Sequence, residues 1–509
     1  MANTYSGEQA GDGWLSGLRG SRIVLFSLLL GCTARVWLVW VSPAHKSPWD
    51  HHEYVRWGIQ ASTQGLLSMY TSPPPESDAL LPEGRTRIHH REQYICNYPP
   101  LAVYLLRLKG ALHGVLDPER VSNTRSAHFV FSAASMVADL LLAWGCLAVT
   151  GALGGRRAGE IAFAVAVLMP PIMLDSCLWQ QTDSWVAAPA VWMLYAMIRR
   201  RWLLAGLLWG TALGLKTQGI LLAPIWAFAW LLAWRARVEN RGGRDLGRII
   251  GGVLVALLWL NACALPFWLS SGSAWLHNSV IRNLRDESPR TTLKAFNIWY
   301  ADLLLSEDPS TEQTWLGIKK DKWGKGLAVA GLLAAGLLSW QRRQRHDYAL
   351  LLFAGLWLLL VVMLPTRVHE RYLLLCLPLL TCLACLRPGF WVGVVPLVAV
   401  ATFQVAVYQW MTFGAGMWPE YLEGAREFHG KAWAETPPAL QHDLPSWEEA
   451  RELAEQEYRR LRAPDVVREW VLTVVALWGA GAVLAAAAFT ARPREKAPPR
   501  PVDGSRTAG

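Results

Sequence analysis

The feature that most constrains this chain is its apolar segmentation. Runs of Leu, Val, Ala, Ile and Trp, many close to the ~20 residues a helix needs to cross a bilayer, recur along the whole sequence. They fall at 21–41, 126–153, 161–174, 184–198, 202–215, 221–234, 249–269, 327–340, 348–364, 372–386, 391–410 and 470–489. The shorter runs must extend into flanking residues or sit in thinned bilayer. The expectation is an all-α polytopic membrane protein with about twelve transmembrane helices. The composition agrees. Only 17% of residues are charged, against about 25% in a soluble domain, and mean hydropathy is +0.20.

Arginine sets the orientation. Arg156 and Arg157, Arg199 to Arg201, the basic run at 235–248 and Arg342 to Arg345 share one side with Arg492, Arg494 and Lys496. The positive-inside rule makes that side cytoplasmic. Residues 1–20 then form a cytoplasmic leader, 21–491 the transmembrane domain, and 492–509 a cytoplasmic, disordered tail. The long segments 42–125, 271–325 and 411–469 face out, and their own basic residues do not contradict this, because long loops translocate largely regardless of charge. Topology and attraction to anionic lipid account for the net charge of +10, so no nucleic-acid partner is implied.

In the first outward loop, amphipathic stretches at 53–67 and 101–116 flank a Pro-rich turn at 72–75 and suit interfacial helices. In the last, the charged run 445–462 has helical spacing and reads as a solvated face. Gly206, Gly210 and Gly214 form a small-residue stripe for close helix packing. Six of the eight cysteines (Cys32, Cys146, Cys263, Cys376, Cys382 and Cys385) fall in spans and act as small apolar side chains. Cys96 and Cys177 face out, and whether they pair is open.

Ionisable groups at or in a membrane are costly and need a reason. The outward span ends hold Trp49-Asp50-His51-His52-Glu53-Tyr54, Asn97-Tyr98-Pro99-Pro100, Asp175 with Trp179-Gln180-Gln181-Thr182-Asp183, Lys216-Thr217-Gln218-Gly219, Asn297-Ile298-Trp299-Tyr300 and Thr366-Arg367-Val368-His369-Glu370-Arg371-Tyr372. The topology brings these six stretches to one membrane face. A carboxylate among cations suits a reaction in which one group removes a proton and others stabilise an anionic leaving group. Blander roles compete: Asp50 as a helix cap, His369-Glu370-Arg371 as a loop salt bridge, Lys216 as a snorkelling side chain. His51, His52, His89 and His90 lack metal-ligand spacing.

Taken in order, these residues resemble the polytopic GT-C glycosyltransferases that use lipid-phosphate sugars. The likeness is to bacterial relatives of the second mannosyltransferase of GPI-anchor assembly and to the ER glucosyltransferases of N-glycan assembly. It rests on Asp50 with Glu53 and Trp57, Tyr98-Pro99-Pro100, Gln181-Thr182-Asp183-Ser184, Lys216 with Gln218 and Pro224, Asn297 with Trp299, and His369-Glu370-Arg371. It spans residues 50–380. The chain departs from the pattern at His51-His52, where relatives often carry an aromatic, and at Asp175 and Gln180-Gln181.

The resemblance implies a GT-C-like bundle and an inverting hexosyltransferase moving mannose or glucose. The donor would be a polyprenyl phosphate and the acceptor a lipid-linked glycan or another extracytoplasmic hydroxyl. Asp50 would be the base. Arg367, His369, Arg371 and Lys216 would bind the donor phosphate, with Glu370 orienting these cations. Glu53, Tyr98, Asp175, Gln181, Asp183, Gln218, Asn297 and Trp299 would contact or orient sugar and acceptor. No metal or other cofactor is expected. A transporter or flippase is the rival reading, but paired broken spans in related halves are not evident. The absence of any Asn-x-Ser/Thr acceptor and the preference for arginine over lysine fit a bacterial inner membrane with the site facing out, rather than the ER.

Overall fold

A computed structural model describes residues 21–42, 49–72, 95–122, 124–239, 245–285, 291–293, 295–305, 310–369, 371–410, 426, 429–430 and 446–491. The leader, the tail, most of the 72–75 turn, His89, His90, Glu370 and most of 411–445 lie outside these residues.

Helices dominate, because apolar runs in lipid must satisfy their backbone internally. Among the described residues, eight helices are long and apolar enough to cross a membrane: α1 (Arg22–Val41), α4 (Arg125–Gly154), α9 (Ala223–Val238, preceded by a 3-10 turn from Thr217), α10 (Asp245–Ser271), α11 (Lys320–Trp340), α12 (His346–Met363), α14 (Trp391–Trp410) and α15 (Trp447–Ala491). Between α1 and α4 lie α2 (Trp49–Thr63) and α3 (Pro100–Leu116). The run expected at 161–174 is instead a broken element. Helix α5 (Arg156–Val167) bends by 42° into α6 (Pro170–Trp179), and the bent pair counts as a ninth span if it crosses as one. The break falls at Pro170-Pro171, whose rings cannot continue the preceding hydrogen-bond ladder. Three further apolar helices, α7 (Ser184–Ile198), α8 (Trp202–Leu215) and α13 (Leu373–Leu386), are shorter.

Helices α12 and α13 form the centre, with nearly every side chain buried. Helices α1, α10 and α11 lie outside and expose apolar faces. The glycine stripe packs as expected: a Cβ on Gly206 would sit 1.9 Å from the Gly252 carbonyl oxygen of α10, and one on Gly210 2.6 Å from that of Ala256. The same device joins α2 to α3, where a Cβ on Gly110 would meet the Gly58 carbonyl oxygen at 1.9 Å.

The amphipathic stretch expected at 53–67 begins earlier, at Trp49, and is not a surface helix. Its Val55, Trp57, Gln60 and Ala61 are all buried in a cluster with Met69, Tyr70, Val103, Phe131 and Phe267. Helix α3 keeps an exposed apolar edge of Leu108, Leu112, Val115 and Leu116. The charged run expected at 445–462 is continuous with the last span in the 45-residue α15. Cys96 and Cys177 are both buried free thiols.

Candidate active site

Asp50 lies in the first turn of α2. Its Oδ2 accepts from Trp179 Nε1 at 2.9 Å and from Gln181 Nε2 at 2.5 Å. Both donors come from the segment that ends α6, which must leave the helix abruptly to reach α2. It does so through a π-helical turn at Asp175–Trp179 and a left-handed Gln180 (φ 61°), a conformation uncommon outside glycine. Such local strain persists only where the surroundings hold it.

The surroundings do so on both sides. The Gln181 carbonyl accepts from Ser135 Oγ at 2.7 Å, and its Oε1 accepts from Tyr54 OH at 3.0 Å. That second bond fixes the amide orientation, so the NH2 end faces Asp50. Burial, with Tyr98 and Asp50 beside it, holds the Tyr54 phenol well above its ordinary range, so it stays a donor. Tyr54 also meets Tyr98 OH at 2.6 Å, and Tyr98 meets Thr182 Oγ1 at 3.0 Å. Deeper, Arg35 of α1 donates to Asp139 of α4 at 2.9 Å, and Asp139 accepts from Ser176 at 2.8 Å and from Ser184. This buried pair grips both ends of the segment that carries Trp179, Gln181 and Asp183.

Asp183 anchors the cations. Lys216 Nζ donates to its Oδ1 at 2.9 Å, and Arg371 Nε lies 3.3 Å from its Oδ2. Burial is the largest influence and disfavours the Lys216 ammonium, but Asp183 together with Tyr98 and Tyr372 outweighs it and leaves the lysine above its ordinary value. Arg371 also sits 5.2 Å over the Trp179 ring. One indole therefore joins the Asp50 carboxylate to the cationic cluster.

Beyond the cluster opens a cavity of about 820 Å³, lined in part by Tyr98, Lys216, Gln218, Arg367, His369 and Arg371. Gln218 donates to Tyr372 OH at 2.9 Å, and the His369 ring packs 5.3 Å from Tyr372. Arg367 stands at φ 61°, its backbone N–H bonded to Thr291 O at 2.9 Å and its guanidinium to Thr311 Oγ1 at 3.1 Å.

The remaining expected residues stand apart from the cavity wall. Asn297 and Trp299 are fully buried and act on backbone: Asn297 Nδ2 donates to Val362 O and Pro365 O, and Trp299 Nε1 to Leu364 O at 2.8 Å. They shape the turn leading to Arg367 and are not among the residues lining the cavity. Asp175 is buried behind the Asp183 cluster, with no hydrogen-bond partner for either oxygen among the described residues. Glu53 is half-buried on α2, and Glu370 is outside the described residues.

The unusual histidines also find an explanation. His51 and His52 bond to Ser122 O and Oγ at 2.6 and 2.8 Å, His51 stacks on His128 at 4.3 Å, and His128 meets Gln180 at 2.5 Å. Burial and the neighbouring histidines hold His51 well below its ordinary value. These histidines pack α2 against α4, and no group of three metal-binding side chains occurs among the described residues.

Sequence reading missed Arg282, Asn283, Arg285 and Lys325 on the cavity wall and the Arg35–Asp139 pair behind it; Tyr54 and Trp179 lay in its candidate stretches without an assigned role. Only Arg35 and Asp139 carried a usable signal, as isolated charges inside apolar runs.

A multi-spanning helical protein with a buried network joining a carboxylate to a cation-lined cavity is built like a membrane enzyme. The model of glycosyltransferase family 87 matches residues 97–365, a little over half of the chain, and the chain belongs to that family. It is a membrane glycosyltransferase. No curated protein matches it. The matched region stops short of Asp50 on one side and of Arg367, His369 and Arg371 on the other, so the grouping of these residues rests on the geometry above.

Proposed function

We propose that this enzyme is an inverting hexosyltransferase of GT-C type, related to the GPI mannosyltransferase II group. It moves mannose or glucose from a polyprenyl-phosphate donor to a lipid-linked glycan or other extracytoplasmic acceptor. The observation that carries this reading is the Asp50 carboxylate, held by Trp179 and Gln181 and one indole away from Arg371 at the cavity. Asp50 takes the acceptor hydroxyl proton as that oxygen attacks the anomeric carbon. The bond from that carbon to the phosphate oxygen breaks, and its electron pair leaves with the phosphate. Lys216 and Arg371 carry two positive charges against the single charge of Asp183, and Arg367 adds to them, with His369 on the same wall, so the cavity favours the departing phosphate.

In this reading the twelve apolar helices all cross the membrane, the cavity faces the outside of a bacterial inner membrane, and α3 lies along the interface on its exposed apolar edge. A monophosphate donor needs no diphosphate clamp, so transfer is metal-independent.

The test measures transfer from synthetic polyprenyl-phosphate mannose and glucose by wild type and Asp50→Asn. Loss of a general base lowers kcat by roughly 10²–10⁴-fold. A well-folded Asp50→Asn protein with undiminished turnover would remove the base assignment. Solute flux in proteoliposomes without any transfer would favour a transporter instead.

A further inference from the structure

Between the short helix Tyr300–Leu305 and α11 the chain makes a two-stranded hairpin, β1 (Thr314–Trp315) and β2 (Ile318–Lys319), closed by Leu316-Gly317. Both turn residues have positive φ, 50° and 76°, as a type I′ turn requires. That turn favours Asn, Asp or Gly at its first central position, and a bulky residue there is a genuine outlier. Here the position holds leucine, and Leu316 is 92% exposed, with Trp315 and Ile318 on either side at 46% and 43%. A strained leucine displayed to water is poor on both local and solvation grounds. The solvation objection lifts if its surroundings are apolar, and burial there can offset the strain that remains.

The adjoining chain defines those surroundings. Helix α11, a membrane span, begins at Lys320, the residue after β2. At 1.5 Å per residue the hairpin base is about 10 Å from the apolar run starting at Leu327, the depth at which interfacial segments meet headgroups and acyl chains. Residues 312–325 carry four lysines, Lys319, Lys320, Lys322 and Lys325, against Glu312 and Asp321. Trp315 and Trp323 add the indoles favoured at that level, and Trp323 Nε1 donates to Trp315 O at 3.0 Å.

The hairpin is also fastened to the cavity wall. Trp315 stacks at 5.1 Å on Trp299, which bonds the turn before Arg367, while Arg367 reaches Thr311. Lys320 binds Gln313 and Asp302, each at 2.7 Å. We propose that the Trp315–Leu316–Ile318 tip inserts into the lipid leaflet around the protein. There it engages anionic headgroups through the exposed Lys319 and Lys322 and holds the cavity mouth at the level from which a lipid substrate enters.

The test places a nitroxide at residue 316 by Leu316→Cys in the full-length protein, reconstituted in phosphatidylcholine vesicles with and without phosphatidylglycerol. Wild type treated alike supplies the background from the half-buried Cys32, Cys263 and Cys385. The expected result is strong relaxation by oxygen and weak relaxation by a water-soluble nickel chelate, more so with phosphatidylglycerol. Equal access of both quenchers overturns the proposal. So does shielding that appears only at high protein-to-lipid ratio, which would make a second copy the occupant.

Leu316→Asn gives a second readout, because asparagine relieves the turn and should keep or raise thermal stability. A structural hairpin predicts unchanged kinetics. Insertion predicts that KM for a long-chain donor in vesicles rises about fivefold, the loss of one part-buried leucine, with kcat held. An unchanged long-chain KM overturns the role in substrate delivery. This arm rests on the proposed function and the nitroxide arm does not, so the two failures are distinguishable.

Discussion

Replacing Arg35 by methionine is the sharpest probe of how the site is held. Arg35 and Asp139 are essentially inaccessible, and Asp139 Oδ2 takes its hydrogen bond from Arg35 Nε. The guanidinium NH1 also spans to Val167 O at 2.7 Å and Gly31 O at 3.2 Å, tying α1 to the end of α5. Arg35→Met leaves a buried carboxylate with only the Ser176 and Ser184 hydroxyls, both on Oδ1. Breaking one side of a buried pair costs about 3–5 kcal/mol. Protonation caps the penalty, since neutralising an ordinary carboxyl at pH 7 costs about 4 kcal/mol. The expected destabilisation is therefore about 3–4 kcal/mol, read as a fall in unfolding midpoint in detergent.

Activity should fall as well, although Arg35 is remote from Asp50. Asp139 fixes both ends of the 176–184 segment, and a displacement of about 1 Å in the groups it presents costs up to ~10²-fold in kcat. Arg35→Lys keeps the charge but not the fork and should recover only part of the loss. Arg35→Met with Asp139→Asn leaves no buried charge and should be more stable than Arg35→Met alone. Unchanged midpoint and turnover in Arg35→Met, or a double variant no better than the single, would refute the reasoning.

Three further outcomes are expected. Burial pushes Lys109 of α3 from 10.5 to about 7, its Nζ donating to Phe131 O at 2.8 Å over the Trp185 face. Below pH 7 folded and unfolded chains are both protonated, and the folded state bears the full burial cost. Between pH 7 and 10.5 only the unfolded chain holds the proton, so stability rises by about 4–5 kcal/mol across that window. Lys109→Met should flatten this slope in unfolding midpoints measured against pH; a slope that persists would count against the assignment. Gly206→Val would drive α8 from α10 and should lower stability by about 1–3 kcal/mol or more, as overpacking does, whereas an unaltered midpoint would mean the helices are not in contact there. Transfer should survive EDTA; activity lost with EDTA and restored by Mn²⁺ would overturn metal independence.

Much of the membrane architecture was legible because hydropathy is a local property: an apolar run near 20 residues has few fates. The long spans appear close to the expected boundaries, whereas 161–174 hid a break that its Pro-Pro pair should have signalled. Asp50, Lys216, Asp183 and Arg371 were legible for a related reason, since a charge beside an apolar run is costly enough to mark itself.

Contacts were a different matter. The sequence presents Asn297 and Trp299 as a motif, but only the fold turns them onto the carbonyls of residues 362–365. The Arg35–Asp139 bond joins residues 104 apart in sequence, and the Trp179–Asp50 bond residues 129 apart. Periodicity and composition report what a segment prefers against solvent or lipid, not which distant segment it meets. Local sequence alone marked out a set of polar span ends. Tertiary structure decided that Trp179 and Gln181 hold Asp50, that Asp183 gathers the cations, and that Arg282, Arg285 and Lys325 complete the cavity wall. These pairings depend on helix packing and on the strained turn at Gln180, neither of which is encoded in any single window of the chain.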